Sequence, residues 1–376
     1  MVKGSCNFPA IYNFGDSNSD TGGISATYFP APPPNGQSYF GRPAGRVCDG
    51  RLIIDFMGII ISNIQHCALN AFKAQSETLR LPYLHAYLDS LGTNFRHGAN
   101  FATGGSSIRT PTETIFENGI SPFPLTVQIS QFDQFKARST YLYKQAQKSS
   151  EKAYLPNPDE FSKALYTFDI GQNDLSYAFG KMPDDKLRAL IPDMIDQFSA
   201  AIQKLYQQGA RSFWIHNTGP VGCSPVSRFY FSGGSQLLDQ YGCIKSHNEI
   251  AAEFNKQLKD RVYRLRTEIK DTALTYVDIY TAKYQLISDA KNQGFGDPFK
   301  ICCGNHDQTH HVWCGQKQNV NGTEIYGGSC ENPSMYISWD GVHYSQAANH
   351  WIANRIITGA LSDPPLSLAN ACNGHS

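Results

Sequence analysis

Five short apolar runs rich in β-branched and aromatic residues punctuate the chain: Ala10–Phe14, the residues leading through Asn100–Ala102, Ala164–Ile170, Ser212–His216 and Leu274–Ile279. Each is bounded by Gly, Asn or Asp, the pattern of a short buried strand. Helical periodicity lies between several of them. Ile250, Phe254, Leu258, Val262, Leu265 and Ile269 recur at spacings of three or four. Met194, Phe198, Ile202 and Leu205 form a second such series, closed by Gly209, and Ala347, Trp351 and Ile357 mark a last helix. Strands alternating with helices predict an α/β fold, a mostly parallel sheet covered on both faces.

Two stretches break the pattern. Pro30–Pro43 is rich in Pro and Gly and reads as a loop. Lys291–Pro333 is rich in Gly, Cys and His, has no clear period, and reads as a long loop stapled by disulfides. With no internal repeat and no clean linker, residues 1–376 are expected to form one domain.

Composition narrows the function. Lys plus Arg and Asp plus Glu are 32 each, so the formal net charge is zero. A nucleic-acid binder needs a basic face, and a peripheral membrane protein of the simple kind needs a polybasic segment; neither is expected here. The best apolar stretch, Leu52–Ile61, is cut by Asp55 and falls short of the roughly 20 residues that span a bilayer.

Ten cysteines set the redox question. Cys302, Cys303, Cys314 and Cys330 crowd one segment, and Cys223 and Cys243 form a second local pair of positions. His306, His310 and His311 lie among them, so zinc must be weighed. No Cys-x2-Cys faces a His pair, however, and adjacent Cys302 and Cys303 suit tetrahedral ligation poorly, so disulfides are the expectation and no metal is assigned. Asn321-Gly322-Thr323 is an N-glycosylation sequon and points the same way, to the secretory pathway. Residues 1–6 carry no apolar signal core, so the expectation of a secreted, extracellular protein places any signal peptide outside this sequence.

The chemistry begins directly after the first run, at Phe14-Gly15-Asp16-Ser17. A serine at the C-terminal end of the first strand of an α/β sheet sits at the rim where such folds bind ligands. Gly15 permits a tight turn, and a following helix would point free N–H groups at the serine oxygen. Ser17 as a plain helix cap is the alternative. Asp16, Asn18 and Asp20 imitate the start of a calcium loop, but Thr21 stands where that loop needs Gly and Thr27 where it needs Glu.

A serine nucleophile needs a base, an orienting acid and oxyanion donors. Trp339-Asp340-Gly341-Val342-His343 offers a carboxylate and an imidazole three residues apart, able to share one turn. Asn100-Phe101-Ala102-Thr103-Gly104-Gly105 offers a bare backbone N–H, and Gly171-Gln172-Asn173-Asp174 a side-chain amide. Either could be turn chemistry.

These four segments, in this order and each at its place along the alternating pattern, resemble the blocks of the GDSL esterase/lipase family, also called SGNH hydrolases, and its plant branch in particular. Trp214–Cys223 and Ser345–Asn349 resemble that branch too. The resemblance runs over nearly the whole chain. It implies a flavodoxin-like three-layer sandwich around a mostly parallel five-stranded sheet. It also implies Ser17 as nucleophile, His343 as base, Asp340 as its orienting acid, and Gly105, Asn173 and the Ser17 amide as the oxyanion hole. Gly105 is taken over Gly104 by counting six positions from Asn100. Against the family pattern Gly58–Ser76, which carries Cys67, reads as an insertion; a genuine added helix is the alternative.

The expected activity is hydrolysis of carboxylic esters of sugars, cell-wall polysaccharides, lipids or natural products by a cofactor-free monomer. Acyl transfer would use the same residues. A glycoside hydrolase of fucosidase type would need two carboxylates flanking the bond, with Asp16, Asp20, Asp169 and Asp174 near the rim. A non-catalytic sugar-binding protein is the third reading.

Overall fold

In the computed structural model, residues 6–58, 83–111, 120–231, 237–306 and 310–372 are described. Five parallel strands form the centre: β1 (Ile11–Gly15), β2 (Gly98–Asn100), β3 (Leu165–Asp169), β4 (Ser212–His216) and β5 (Ala273–Val277). They follow the spatial order 2-1-3-4-5, the flavodoxin-like order of doubly wound sheets. Every residue of all five is buried, as expected for strands covered on both faces. A sixth strand too short to read from periodicity, β10 (Ser362–Asp363), pairs antiparallel with β5 at the edge.

Alternation along the strands divides the core. Tyr12, Phe14, Phe168, Phe213 and Ile215 face one apolar cluster, while Ile11, Leu165 and Trp214 face another. The first is covered by α2 (Leu125–Gln145), α3 (Asp184–Gln207) and α4 (Lys245–Glu268). The second is covered by α1 (53–58), α5 (Ile279–Ser288) and α6 (Gln346–Ile357). The helices expected around Ile250, Met194 and Trp351 are therefore present. The second starts ten residues earlier than its periodicity shows, because Pro192 inside α3 interrupts the reading.

Two sequence expectations are corrected. Lys291–Pro333 is not wholly loop. It folds two small hairpins, β6 (Asn305–His306) with β7 (His311–Val312), and β8 (Lys317–Val320) with β9 (Thr323–Tyr326). No helix follows Ser17; residues 17–28 form successive turns, because the Asp20 carboxylate takes the amides of Gly22, Gly23 and Ile24 that a helix would direct elsewhere. Among the described residues four disulfides staple the chain: Cys6–Cys372, Cys223–Cys243, Cys302–Cys330 and Cys303–Cys314. Cys48 is a buried free thiol. Apart from Gly58, the Gly58–Ser76 segment with Cys67 lies outside the described residues.

Candidate active site

β1 and β3 are neighbours whose following connections diverge, and the carboxyl ends of such strands frame the crevice where doubly wound folds bind ligands. Ser17 follows β1 here, and Gly171–Asn173 follows β3. The turn out of β1 is held from beneath by buried amides. Gln128 of α2 accepts from Gly15 N at 2.9 Å and donates to Gly15 O at 2.8 Å. Asn13 donates to Ser19 Oγ at 3.0 Å and to Asn100 Oδ1 at 2.8 Å. Asn100 in turn donates to the Ser19 carbonyl at 2.6 Å. Gly15 is required by space: a Cβ there would lie 2.4 Å from Ser19 Oγ and 2.5 Å from the Asp169 carbonyl. Buried polar groups are stable only when so paired, and the pairing fixes the half-exposed Ser17 over a rigid base.

The other segments are tied to this turn directly. Gly104 N donates to Asp20 Oδ2 at 2.7 Å. That amide is therefore committed, whereas Gly105 N and Ser17 N donate to no protein group among the described residues. Gly105, taken over Gly104 by position in the sequence, is the one of the two whose amide stays uncommitted among the described residues. Asn173 Nδ2 donates one hydrogen to Ser106 O at 2.8 Å, leaving its second. Asp174 accepts from Ile108 N at 2.8 Å and Arg109 N at 3.1 Å, binding the two segments together.

Asp340 and His343 share one turn. Asp340 Oδ1 accepts from the amides of Val342 and His343 at 3.0 and 2.7 Å, and Oδ2 lies 2.6 Å from His343 Nδ1. A hydrogen on Nδ1 leaves Nε2 as a lone pair. That Nε2 is buried and has no hydrogen-bond partner among the described residues. Ser17 Oγ and His343 Nε2 are not hydrogen-bonded to each other. Burial works against the imidazolium, but the adjoining Asp340 carboxylate outweighs it and raises the His343 pKa. Burial likewise opposes ionised Asp340, and the same contact holds its carboxyl below the ordinary range. Asp16, beside Ser17, adds to the field on His343, and Gln172 and Lys283 link Asp16 to the ring of Tyr344, the residue after His343.

Several residues here carried no sequence signal: Gln128, Gln172, His216 and Lys283. The carboxylates near the rim are all engaged. Asp16 is fully buried, and burial, then Asp169 beside it, pushes it up to about 7. Asp20 takes four backbone amides. Asp169 faces His216 Nδ1 at 3.2 Å. Among the described residues no group of three His, Cys, Asp or Glu could hold a metal ion, and no helix is long and apolar enough to cross a membrane. His306 and His311 do meet, Nδ1 to Nδ1 at 2.6 Å, but Cys303 and Cys314 are spent in a disulfide.

A mainly parallel doubly wound sheet with an Asp–His pair, a serine and uncommitted amides near one rim has the parts that acyl hydrolysis calls for. The chain belongs to the GDSL-like lipase/acylhydrolase family, whose model matches residues 11–356, and it is a carboxylic ester hydrolase of that family. A GDSL esterase/lipase of Arabidopsis thaliana is 55% identical over 372 residues, covering 99% of this chain and 91% of the relative. A GDSL esterase/lipase of Zea mays is 47% identical over 376 residues, 98% and 90% of the two chains. A protein named alpha-L-fucosidase 3, also of Arabidopsis thaliana, is 45% identical over 359 residues, 94% and 91%.

Proposed function

We propose that the protein is a secreted serine esterase that acts through Ser17, His343 and Asp340. His343 Nε2 takes the Ser17 hydroxyl proton as Oγ attacks the acyl carbon. The oxyanion accepts hydrogen bonds from the amides of Gly105 and Ser17 and from Asn173 Nδ2. The imidazolium returns the proton to the leaving alcohol, and water then repeats the sequence on the acyl-enzyme. Asp340 keeps the proton on Nδ1 and stabilises the imidazolium. The observation that carries this reading is the orphaned, buried His343 Nε2, held in the tautomer a general base needs.

The substrates are acyl esters of sugars, cell-wall polysaccharides, lipids or natural products; an alcohol in place of water would make the same site a transferase. Four disulfides support an oxidising, extracellular setting. Asn321 is exposed at the turn between β8 and β9, accessible to glycosylation. The fucosidase name of one relative favours a second reading, glycoside hydrolysis. Against it, Asp16, Asp20 and Asp169 are all at most 2% exposed and locked in hydrogen bonds, poorly placed to flank a glycosidic bond.

The test is fluorophosphonate labelling and p-nitrophenyl acetate hydrolysis by the wild type, Ser17→Ala and His343→Ala. Labelling at Ser17 and a loss of turnover of roughly 10⁴-fold or more in both variants are expected. A Ser17→Ala protein with wild-type turnover would overturn the proposal and return attention to the carboxylates.

A further inference from the structure

Beneath the rim lies a buried charged cluster that the reaction above does not use. Its centre is Lys283 of α5, 1% exposed. The side chain runs past Gly219, where a Cβ would come within 2.9 Å of Lys283 Cδ. Its Nζ lies 3.5 Å from Gln172 Oε1 and 4.9 Å from the centroid of the Tyr344 ring. Gln172 Nε2 in turn reaches Asp16 Oδ2 at 3.2 Å and Asp169 Oδ1 at 3.1 Å.

Trp214 Nε1 donates to His216 Nε2 at 3.1 Å. An indole N–H is a donor only, so His216 Nε2 is a lone pair and its proton sits on Nδ1, facing Asp169. His216 thus meets Asp169 through its Nδ1–H, and Lys283 brings a buried ammonium to the same cluster through Gln172. Removing an ammonium from water is costly unless it is compensated. A helix that needed only packing at this position would be served by Met.

The arrangement has a further regularity. Asp16 immediately precedes Ser17, Gln172 immediately precedes Asn173, and Tyr344 immediately follows His343. The surroundings of this one ammonium thus include the chain neighbours of the nucleophile, the oxyanion amide and the base. We propose that Lys283 is a positioning residue for the esterase site. It balances the buried Asp16–Asp169 pair and, through Gln172 and Tyr344, sets the register of three segments that reach the rim from different strands and loops. This rests on the serine-esterase reading.

A double-mutant cycle tests it: wild type, Lys283→Met, Asp16→Asn and the double variant. Each is checked for folding by circular dichroism and assayed for kcat, KM and the rate of fluorophosphonate labelling. Folded Lys283→Met is expected to keep KM within about twofold and lose about tenfold or more in kcat and in labelling rate. In the Asp16→Asn background, where Lys283 has one buried carboxyl group fewer to balance, the same change is expected to cost about threefold less. If Lys283→Met alone does not fold, the double variant is expected to fold, and its failure to do so would overturn the proposal. Folded Lys283→Met with kcat within twofold of wild type, a change confined to KM, or effects that simply multiply would each overturn it. In those cases the wild type still labels at Ser17 and the esterase reading stands. A wild type that does not label removes both.

Discussion

The two halves of the rim are held by different means. Ser17, Gly105 and Asn173 follow strands whose every residue is buried, and the Ser17 turn rests on side-chain amides from Asn13, Asn100 and Gln128. Asp340 and His343 belong to a segment with little regular structure. There the disulfides Cys302–Cys330 and Cys303–Cys314 fix a short stretch of chain, whose Cys302 and Cys303 amides donate to the carbonyls of Ser338 and Trp339 at 3.2 and 2.6 Å. Fully buried Trp339 closes the arrangement, its indole donating to Asn35 at 2.9 Å. The sheet side is organised by a cooperative core. The cysteine-rich side is organised by local covalent links. Damage to the first should therefore appear as lost stability, and damage to the second as lost activity in a protein that remains folded.

The largest effect expected from breaking the contrast is Asp340→Asn. The imidazole loses the carboxylate that selects its tautomer, and turnover of p-nitrophenyl acetate is expected to fall by about 10⁴-fold. The sign of the pH effect follows from the same contact. Asp340 raises the His343 pKa, and the proposed base must be neutral to act, so wild-type activity is expected to be lost as pH falls through that raised value. Without Asp340 the pKa drops and the acid limb of the residual activity moves to lower pH. An unmoved limb would show that another group titrates there. Melting temperature should change little.

The opposite behaviour is expected on the sheet side. Phe132 of α2 is 1% exposed and meets the rings of Tyr12, Phe14, Phe101 and Tyr166 with centroids 5.1 to 5.8 Å apart. Phe132→Ala should cost about 3–5 kcal/mol in denaturant unfolding. Fluorophosphonate labelling per folded molecule should stay within a few-fold of wild type. A large loss of labelling without a loss of stability would contradict the division of labour drawn here.

The same contrast explains what could be read from sequence. Ser212–His216 appears as a strand with the boundaries its apolar run predicts, and the ends of the other four central strands differ from their runs by one or two residues. Those segments are buried on both faces, so their period and punctuation are strong. The hairpins β6–β7 and β8–β9 and the edge strand β10 span two to four residues each, too few to carry a period. Ser17, Gly105, Asn173, Asp340 and His343 could be proposed from sequence because each sits in a short motif. Lys283 and Gln128 could not, since a polar residue in an amphipathic helix ordinarily marks the solvent face. Only the tertiary arrangement turns them inward. The expected helix after Ser17 failed because Asp20 competes for its first amides, a side-chain effect that composition does not rank.

The smallest of the expected effects is the most discriminating. Replacing Cys303 and Cys314 together by Ser opens a link spanning 11 residues of sequence. A loop so short loses only about 3 kcal/mol of denatured-state constraint at most, and neither cysteine lies in the two clusters that pack the sheet. Cys303 is nevertheless hydrogen-bonded through its backbone to Trp339, whose own amide donates to the His343 carbonyl at 2.8 Å. Loosening the link should let the Asp340–His343 turn wander while the sheet stays intact. A misplacement of about 1 Å at a reacting group can cost as much as 10²-fold, and this indirect one is expected to cost roughly tenfold in kcat. The melting temperature of the sheet-centred unfolding step should fall by only a few degrees. If instead activity per folded molecule is unchanged and the whole loss is in stability, the cysteine-rich segment is a structural brace like the sheet, and the two halves of the rim are held in the same way after all.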